Sequence, residues 1–504
     1  MVASTASEQN RQGYPDNVDP ARGAAPVPAE CYNLVVVGAG TAGLVAAAGA
    51  AALGARVALL ERHLMGGDCL NYGCVPSKSL LSAARAVHDA HRAARLGIAA
   101  EADAPADFAR AMARMRRIRA DLSIHDSVAR FASLGVDLFH GHARFSGPDS
   151  VDVNGQRLRF RRALIATGAR AAAPPIPGLA QAGYLTNETI FSLDRLPRRL
   201  AVIGGGPLGC ELAQAVRRLG SEVTLLEAMP RILPREDADA AARLTTALQR
   251  EGVEIVTAAA IASVEARGDG KLLRFKLNGA GEELIVDEIL AGVGRAPNLA
   301  DLGLEAAGVA FTSDGITVDD YLRTSNRRIF AAGDVCSSLK FTHAADAMAR
   351  IVLRNALFFG RARLSALTIP WCIYTDPEIA QVGLTADEAT RRGIGFRTLV
   401  QELNGVDRAV IDGDADGFVK VHVGARNDLM LGATIVAPHA GEMIGELTLA
   451  IQHRLGLKIL ADAIHPYPTY GEALRKLGDS YNRSRLTPGV RRLLAALMTW
   501  RRRL

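Results

Sequence analysis

A strand, a glycine turn, a helix and a second strand follow one another twice in this chain, and both copies end in a glutamate. In the first copy the β-branched apolar run 33–37 leads into Gly38-Ala39-Gly40-Thr41-Ala42-Gly43, then an alanine-rich helix to about residue 54. A strand at 57–60 follows and ends in Glu61. In the second, a strand at 200–203 leads into Gly204-Gly205-Gly206-Pro207-Leu208-Gly209, a helix at 210–219 and a strand at 223–226 that ends in Glu227. Strands apolar on both faces belong inside a parallel sheet covered by helices. The first glycine of each turn (Gly38, Gly204) makes the tight bend, and the second (Gly40, Gly206) lets the backbone approach a pyrophosphate. The third (Gly43, Gly209) lets helix and strand pack closely. Phosphates then rest on a helix N-terminus, where free N–H groups and the macrodipole favour negative charge. Glu61 and Glu227 are placed to accept hydrogen bonds from ribose hydroxyls. A lone glycine turn of this kind is weak evidence; two complete units predict an α/β fold that holds two dinucleotides.

A chain of 504 residues exceeds one ordinary core, so several domains are expected. Residues 1–30 are polar and proline-bearing without an apolar segment; they read as a disordered leader, not a secretory signal. No apolar stretch is long enough to cross a bilayer, and the cytoplasm is the expected compartment. The net charge of +6 comes with arginines scattered along helices, and no basic run is interleaved with stacking aromatics, so no nucleic-acid partner is expected. Residues 93–134 read as helical, 151–165 as short strands around Asn154-Gly155, and 271–290 as strands. From 369 the texture becomes that of a separate α+β domain, with strands at 418–423 and 431–436 and a helix at 442–455.

Six cysteines in so long a chain do not make a disulfide scaffold. Cys31, Cys210, Cys336 and Cys372 read as small buried hydrophobes. Cys69 and Cys74 lie in Gly66-Gly67-Asp68-Cys69-Leu70-Asn71-Tyr72-Gly73-Cys74-Val75-Pro76-Ser77-Lys78, directly after the first unit. On a regular helix, five residues separate two cysteines too far for an unstrained bridge. The glycines and Pro76 predict an irregular entry into a helix that starts near Ser77, where thiols acquire lowered pKa values. A reducible bridge, a zinc half-site and two structural thiols all fit the pair itself. No second Cys or His pair stands at zinc-ligand spacing.

From about residue 33 to 481 the sequence resembles the class I pyridine nucleotide-disulfide oxidoreductases, with the mercuric reductase-like branch nearest and dihydrolipoamide dehydrogenase beside it. Besides the cysteine segment, Gly141-His142-Ala143-Arg144-Phe145, Ala166-Thr167-Gly168, Gly294-Arg295-Ala296-Pro297-Asn298, Ala332-Gly333-Asp334 and Thr342-His343-Ala344 fall in the family's order. The resemblance implies FAD on the first unit, with Thr167, Gly168, Asp334 and Ala344 among its contacts. It implies NADH or NADPH on the second, with Gly294 in the segment that closes that domain. It makes Cys69 the thiol that meets substrate, Cys74 the thiolate against the flavin, Lys78 with Glu211 an ion pair beside the flavin, and His343 a positioning residue. The implied division is a leader (1–30), an FAD-binding domain (31–170 and 299–366), a nicotinamide domain (171–298), a dimerisation domain (367–482) and a basic helical tail (483–504), in a homodimer. A carboxylate at Glu227 bonds ribose hydroxyls and repels a 2′-phosphate, so NADH is the expected donor; Arg231 nearby would soften that preference.

Two departures bear on the substrate. In His465-Pro466-Tyr467-Pro468-Thr469-Tyr470-Gly471-Glu472, aligned on Pro468, Thr469 and Glu472, Tyr467 occupies the place of the catalytic histidine that the partner subunit supplies in disulfide-reducing members, with Glu472 behind it. Tyrosine there resembles mercuric reductase, yet no cysteine follows Cys372, where mercuric reductases carry a metal-capturing pair, and the cysteine module often fused ahead of them is missing. The expected activity is NAD(P)H-dependent reduction of a thiol-bound metal ion such as Hg(II), or of a small redox acceptor. The rivals are a dihydrolipoamide dehydrogenase-type enzyme and a flavoprotein redox sensor that does not turn over. Val490, Leu493, Leu494, Leu497 and Met498 form one stripe of a basic helix at 490–504, suited to packing on the dimer or, alternatively, to an anionic membrane surface.

Overall fold

The computed structural model describes residues 14, 16–23, 25–97 and 106–504. They form two compact units, one running to residue 230 and including 252–367, the other made of 231–251 and 368–504.

The first unit is built on strands β1 (Tyr32–Val37), β2 (Val57–Glu61), β3 (Val136–His140), β4 (Ala143–Gly147), β5 (Ser150–Val153) and β6 (Gln156–Ile165), in the order β3-β2-β1-β6-β5-β4. β1 is buried along its length except at Asn33, as a β-branched run needs at the centre of a sheet. β3, β2, β1 and β6 are parallel, and the short strand Ile329–Ala331 joins β6 in parallel. The turn between β5 and β6 is Asn154-Gly155, with φ of 47° and 78°. Both residues are left-handed, the geometry a two-residue hairpin demands and Asn-Gly supplies. Because the strands run parallel, Gly38 after β1 and Asp334 after Ile329–Ala331 emerge at the same carboxyl edge, where open α/β sheets bind ligands.

The second glycine turn opens a four-stranded parallel sheet, ordered Val253–Val256, Glu222–Leu226, Arg199–Ile203 and Glu288–Ala291. The two turns match closely. Gly38 and Gly204 share a φ of 103°. A Cβ on Gly43 would lie 1.8 Å from the Gly38 carbonyl oxygen, and one on Gly209 would lie 2.0 Å from that of Gly204. The third glycine is therefore demanded first by the turn's own carbonyl, and only then by the strand.

The expectation of an unstructured leader fails from Tyr14 onward; residues 1–13 lie outside the described residues. Tyr14 and Val18 are buried, the Tyr14 hydroxyl donates to the Asn71 side-chain oxygen, and the Arg119 guanidinium sits 4.3 Å from the centre of the Tyr14 ring. Met65 N–H donates to the Val18 carbonyl at 2.8 Å. Two apolar residues in a polar segment, Tyr14 and Val18, were enough to anchor it. Of the stretch 93–134, Phe108–Ser123 and Val128–Ser133 are helices, and 98–105 lie outside the described residues.

The second unit carries a five-stranded antiparallel sheet, ordered Trp371–Ile373, Glu378–Gly383, Met430–Ala437, Phe418–Gly424 and Phe396–Glu402. Helices Ala440–Gln452 and Glu472–Ser484 cover its core. Residues 231–251, which the sequence groups with 171–298, belong here for an electrostatic reason. Lys420 is buried in its strand and its ammonium is held by Asp237 at 2.8 Å and Asp239 at 2.5 Å, at the start of helix Ala238–Arg250. Trp371 Nε1 donates to Glu236 at 2.9 Å. A buried ammonium without those carboxylates would be strongly destabilising.

Candidate active site

Helix Gly67–Asn71 carries Cys69, the chain breaks at Tyr72 and Gly73, and Cys74 is the first residue of the 19-residue helix Cys74–Arg92. The helix begins three residues before the expected start at Ser77, because Pro76 sits in its first turn, where no N–H is required. A Cβ on Gly73 would lie 2.9 Å from both the carbonyl and a carboxylate oxygen of Asp68, so only glycine permits this break. The break brings the two thiols within hydrogen-bonding reach of one another, and both are free in this structure.

The pair divides its protons unequally. The hydrogen bond from Cys69, then that from Thr342 and the charge of Lys78, hold Cys74 down at about 6, against the opposing effect of desolvation by the surrounding protein, although the sulfur's residue still reaches solvent. The same bond to Cys74, followed by burial, pushes Cys69 well above the usual thiol range. The two groups titrate as a unit whose first proton leaves from Cys74. Thr342 Oγ1 lies 3.5 Å from Cys74 Sγ and opens helix Thr342–Leu357. Two helix N-termini thus meet at one sulfur, which favours the thiolate further. His343 stacks on Phe341 with ring centres 5.4 Å apart.

Lys78, one turn beyond Cys74, places Nζ 2.8 Å from Glu211 Oε2. Glu211 is only 4% exposed and lies on helix Pro207–Arg218, which follows the second glycine turn. The sequence signal for this contact lay in the resemblance alone, since 133 residues separate the partners.

A cleft of about 410 Å³ opens at the carboxyl edge of the first sheet, lined by Gly38, Gly40, Glu61, Cys69, Thr167 and Asp334 among others. Glu61 Oε2 accepts from Ala39 N–H at 2.7 Å, and Glu227 Oε2 accepts from Gly205 N–H at 2.7 Å. Each terminal acid therefore clamps its own glycine turn and holds a carboxylate beside it. Thr167 and Asn298 clasp each other through two bonds of 2.9 Å, and Asn298 N–H donates to the Gly168 carbonyl at 3.0 Å. Gly294 turns at a φ of 124°, and Ala344 is buried near the start of its helix. Burial pushes the Asp334 carboxyl up, against the pull of Arg295.

These residues fit a dinucleotide on each turn. The helices after Gly40 and Gly206 begin without a side-chain cap, which leaves their N–H groups for phosphate. Asn298 Oδ1, on the cleft wall, is buried without a hydrogen-bond partner and is available to a ligand donor.

Asp68 carried no signal in the sequence beyond its place in the cysteine segment. It accepts from Arg295 at 2.9 Å and from Asn187 at 2.9 Å, and Arg295 also lies 3.3 Å from Asp334. In the second unit, Tyr467 is 69% exposed and donates to Asp407 at 2.7 Å. Asp407, not Glu472, is the main cause that raises its phenol. Glu472 is buried and pairs within its own helix with Arg475 and Lys476. His465 is anchored through Nδ1 to the Ala463 carbonyl at 3.1 Å and through Nε2 to Glu446 at 3.2 Å.

Residues 32–349 match the family described as pyridine nucleotide-disulphide oxidoreductase, and 369–477 match its dimerisation domain. A mercuric reductase of Bacillus cereus is 36% identical over 445 residues, covering 88% of this chain and 70% of that protein. A dihydrolipoyl dehydrogenase of Thermus scotoductus is 37% identical over 471 residues, covering 90% and 98%. Among solved structures, the Cu(II) complex of the HOCl-induced flavoprotein disulfide reductase RclA from Escherichia coli superimposes with a TM-score of 0.79 at 31% identity, covering 88% of this chain and 99% of that one.

Proposed function

The chain belongs to the pyridine nucleotide-disulphide oxidoreductases, enzymes that use FAD and NAD(P)H, and from that premise we propose that its cysteine pair reduces a thiol-bound metal ion such as Hg(II). The observation that carries the reading is the pair itself, two free thiols brought within hydrogen-bonding reach of one another, with Cys74 the more readily deprotonated because Cys69, Thr342 and Lys78 all favour its anion. Two adjacent sulfurs are soft ligands that capture a soft cation from an external thiolate. Net transfer of two electrons takes M(II) and NAD(P)H to M(0), NAD(P)+ and a proton. Mercuric reductases among the relatives and the Cu(II) complex of RclA support this choice of substrate.

Bound FAD supplies a two-electron relay between nicotinamide and the cysteine pair. In this proposal Gly38, Gly40, Gly43 and Glu61 hold it, with Thr167, Gly168, Asp334 and Ala344; Gly204, Gly206, Gly209, Glu227 and Gly294 hold the nicotinamide dinucleotide. Lys78 keeps its cation one turn from Cys74 because Glu211 fixes it there, which supports negative charge arriving at that place. Cys69 meets the substrate and Cys74 keeps the thiolate. Two copies joined through the dimerisation domain form the working enzyme, in the cytoplasm. A second reading, dihydrolipoamide oxidation, draws on the anchored His465–Glu446 pair, a positioned imidazole two residues from Tyr467. A steady-state panel decides between them: mercuric thiolate, dihydrolipoamide with NAD, glutathione disulfide and quinones. Fastest turnover with the metal thiolate is expected; fastest turnover with dihydrolipoamide would overturn the metal reading.

Donor choice follows from Glu227. Its buried carboxylate also accepts from Met229 N–H at 2.7 Å, and Arg231, the residue that could have welcomed a 2′-phosphate, spends its donors on the carbonyls of Leu233, Pro234 and Glu236. NADH should be preferred. Glu227→Ala should raise KM for NADH about tenfold, the effect of losing a charged acceptor, narrow the preference and lower Tm by freeing the turn. A higher kcat/KM for NADPH in the unaltered enzyme would refute the assignment.

A further inference from the structure

Helix Pro488–Arg501 starts from Thr487, whose side chain accepts from Val490 N–H, and every residue from 482 to 504 is exposed. Val490, Leu493, Leu494, Leu497 and Met498 recur at helical spacing, and Trp500 extends the same face. Residues 483–504 contain seven arginines and no lysine or carboxylate, against +6 for the whole chain, so the rest of the protein is within one charge of neutrality. Arg491, Arg492, Arg502 and Arg503 flank or oppose the apolar face. Arg501 falls within it at the last turn, where a long stem carries its cation outward.

We propose that this helix lies on an anionic lipid surface and holds the reductase there. The charge selects this occupant over a second copy of the chain. A two-fold pairing of the apolar face would bring Arg501 and the flanking arginines against those of the second copy, and the remainder of the protein carries a net charge of only −1 to offset them. An anionic bilayer satisfies both halves of the helix. Apolar side chains and the indole enter the boundary between headgroups and acyl chains, and the guanidinium groups stay among the phosphates. At about 21 Å the helix is too short to span a bilayer, and among the described residues no helix is long and apolar enough to do so.

The test is co-sedimentation of the full-length, FAD-loaded protein with phosphatidylcholine vesicles, with and without phosphatidylglycerol. Binding should require phosphatidylglycerol and fade at high salt. Each arginine near the surface contributes about fivefold to the partition constant, so Arg501→Gln, Arg502→Gln and Arg503→Gln together should lower it about a hundredfold. Leu493→Asp with Leu497→Asp should abolish it, while NADH oxidation and flavin content stay unchanged. Equal binding to neutral vesicles, or no binding to anionic ones, overturns the proposal. So does a leucine double variant whose mass in solution falls from dimer to monomer, because the face would then be a protein interface.

Discussion

Cys74→Ser should cut acceptor reduction by at least about 10³-fold while FAD stays bound, since the thiolate of the pair is lost and no other group can take its place. The unaltered enzyme, after limited reduction, should show long-wavelength absorbance from a thiolate beside the flavin, and this variant should not. The companion Cys69→Ser tests the origin of the low pKa. The Cys69 bond is the largest influence that holds Cys74 down, and an introduced hydroxyl can still donate to it. Cys69→Ser should therefore keep a thiolate at Cys74 and show the absorbance without any reductant. Cys69→Ala removes the donor and should raise the pKa. Because the Cys74 pKa is depressed to about 6, alkylation of Cys74 by iodoacetamide in the reduced enzyme should be fast above that pH and fall as pH drops through it. The midpoint should move upward in Cys69→Ala. A long-wavelength band that survives in Cys74→Ser would show that the roles of the two cysteines are exchanged.

How much of this was legible in the sequence depends on how local each signal is. The glycine turns were readable in full because their constraint is steric and lies within six residues, as the approach of Gly43 to the Gly38 carbonyl shows. The terminal acids were readable as carboxylates at the ends of their strands, but their bonds to Ala39 and Gly205 N–H were not, because a pattern of residue types does not report which atoms a carboxylate reaches first. Helix starts were displaced where proline misled. Pro76 limits the residue before it, yet a helix accommodates proline in its first turn. Contacts between distant residues had no local signature. Lys78 with Glu211 came from family resemblance, while Asp68 with Arg295 and Tyr467 with Asp407 came only from the fold. The anchoring of the segment that begins at Tyr14 has no compositional signature for a related reason. Composition averages over thirty residues, whereas anchoring needs only Tyr14, which finds Asn71 and Arg119, and the buried Val18.

Tyr467→His should raise dihydrolipoamide oxidation at least tenfold, toward the 10² to 10⁴ that a positioned acid–base group typically supplies. Dithiol–disulfide exchange needs a group that takes and returns protons near neutral pH, and imidazole, with a pKa of about 6.5, does so. The Tyr467 phenol is a poor substitute, and its bond to Asp407, with that carboxylate's charge, raises its pKa further. Raising pH within the ordinary range therefore does not recruit it as a base, and lipoamide or glutathione disulfide turnover by the unaltered enzyme should stay slow even where NADH reduces the flavin rapidly. Metal-ion reduction has no such demand. By the family resemblance this segment of one subunit serves the cysteine pair of the other, where a phenol can steer or weakly ligate an ion held by two sulfurs, so Tyr467→Phe should impair metal reduction several-fold while leaving NADH-dependent flavin reduction intact. His465→Gln separates this from the alternative base. With both ring nitrogens anchored, to Ala463 and Glu446, His465 should be dispensable for metal reduction. If the unaltered protein oxidises dihydrolipoamide with NAD at rates typical of enzymes, and His465→Gln abolishes that activity, the proton shuttle is the His465–Glu446 pair and the metal reading falls.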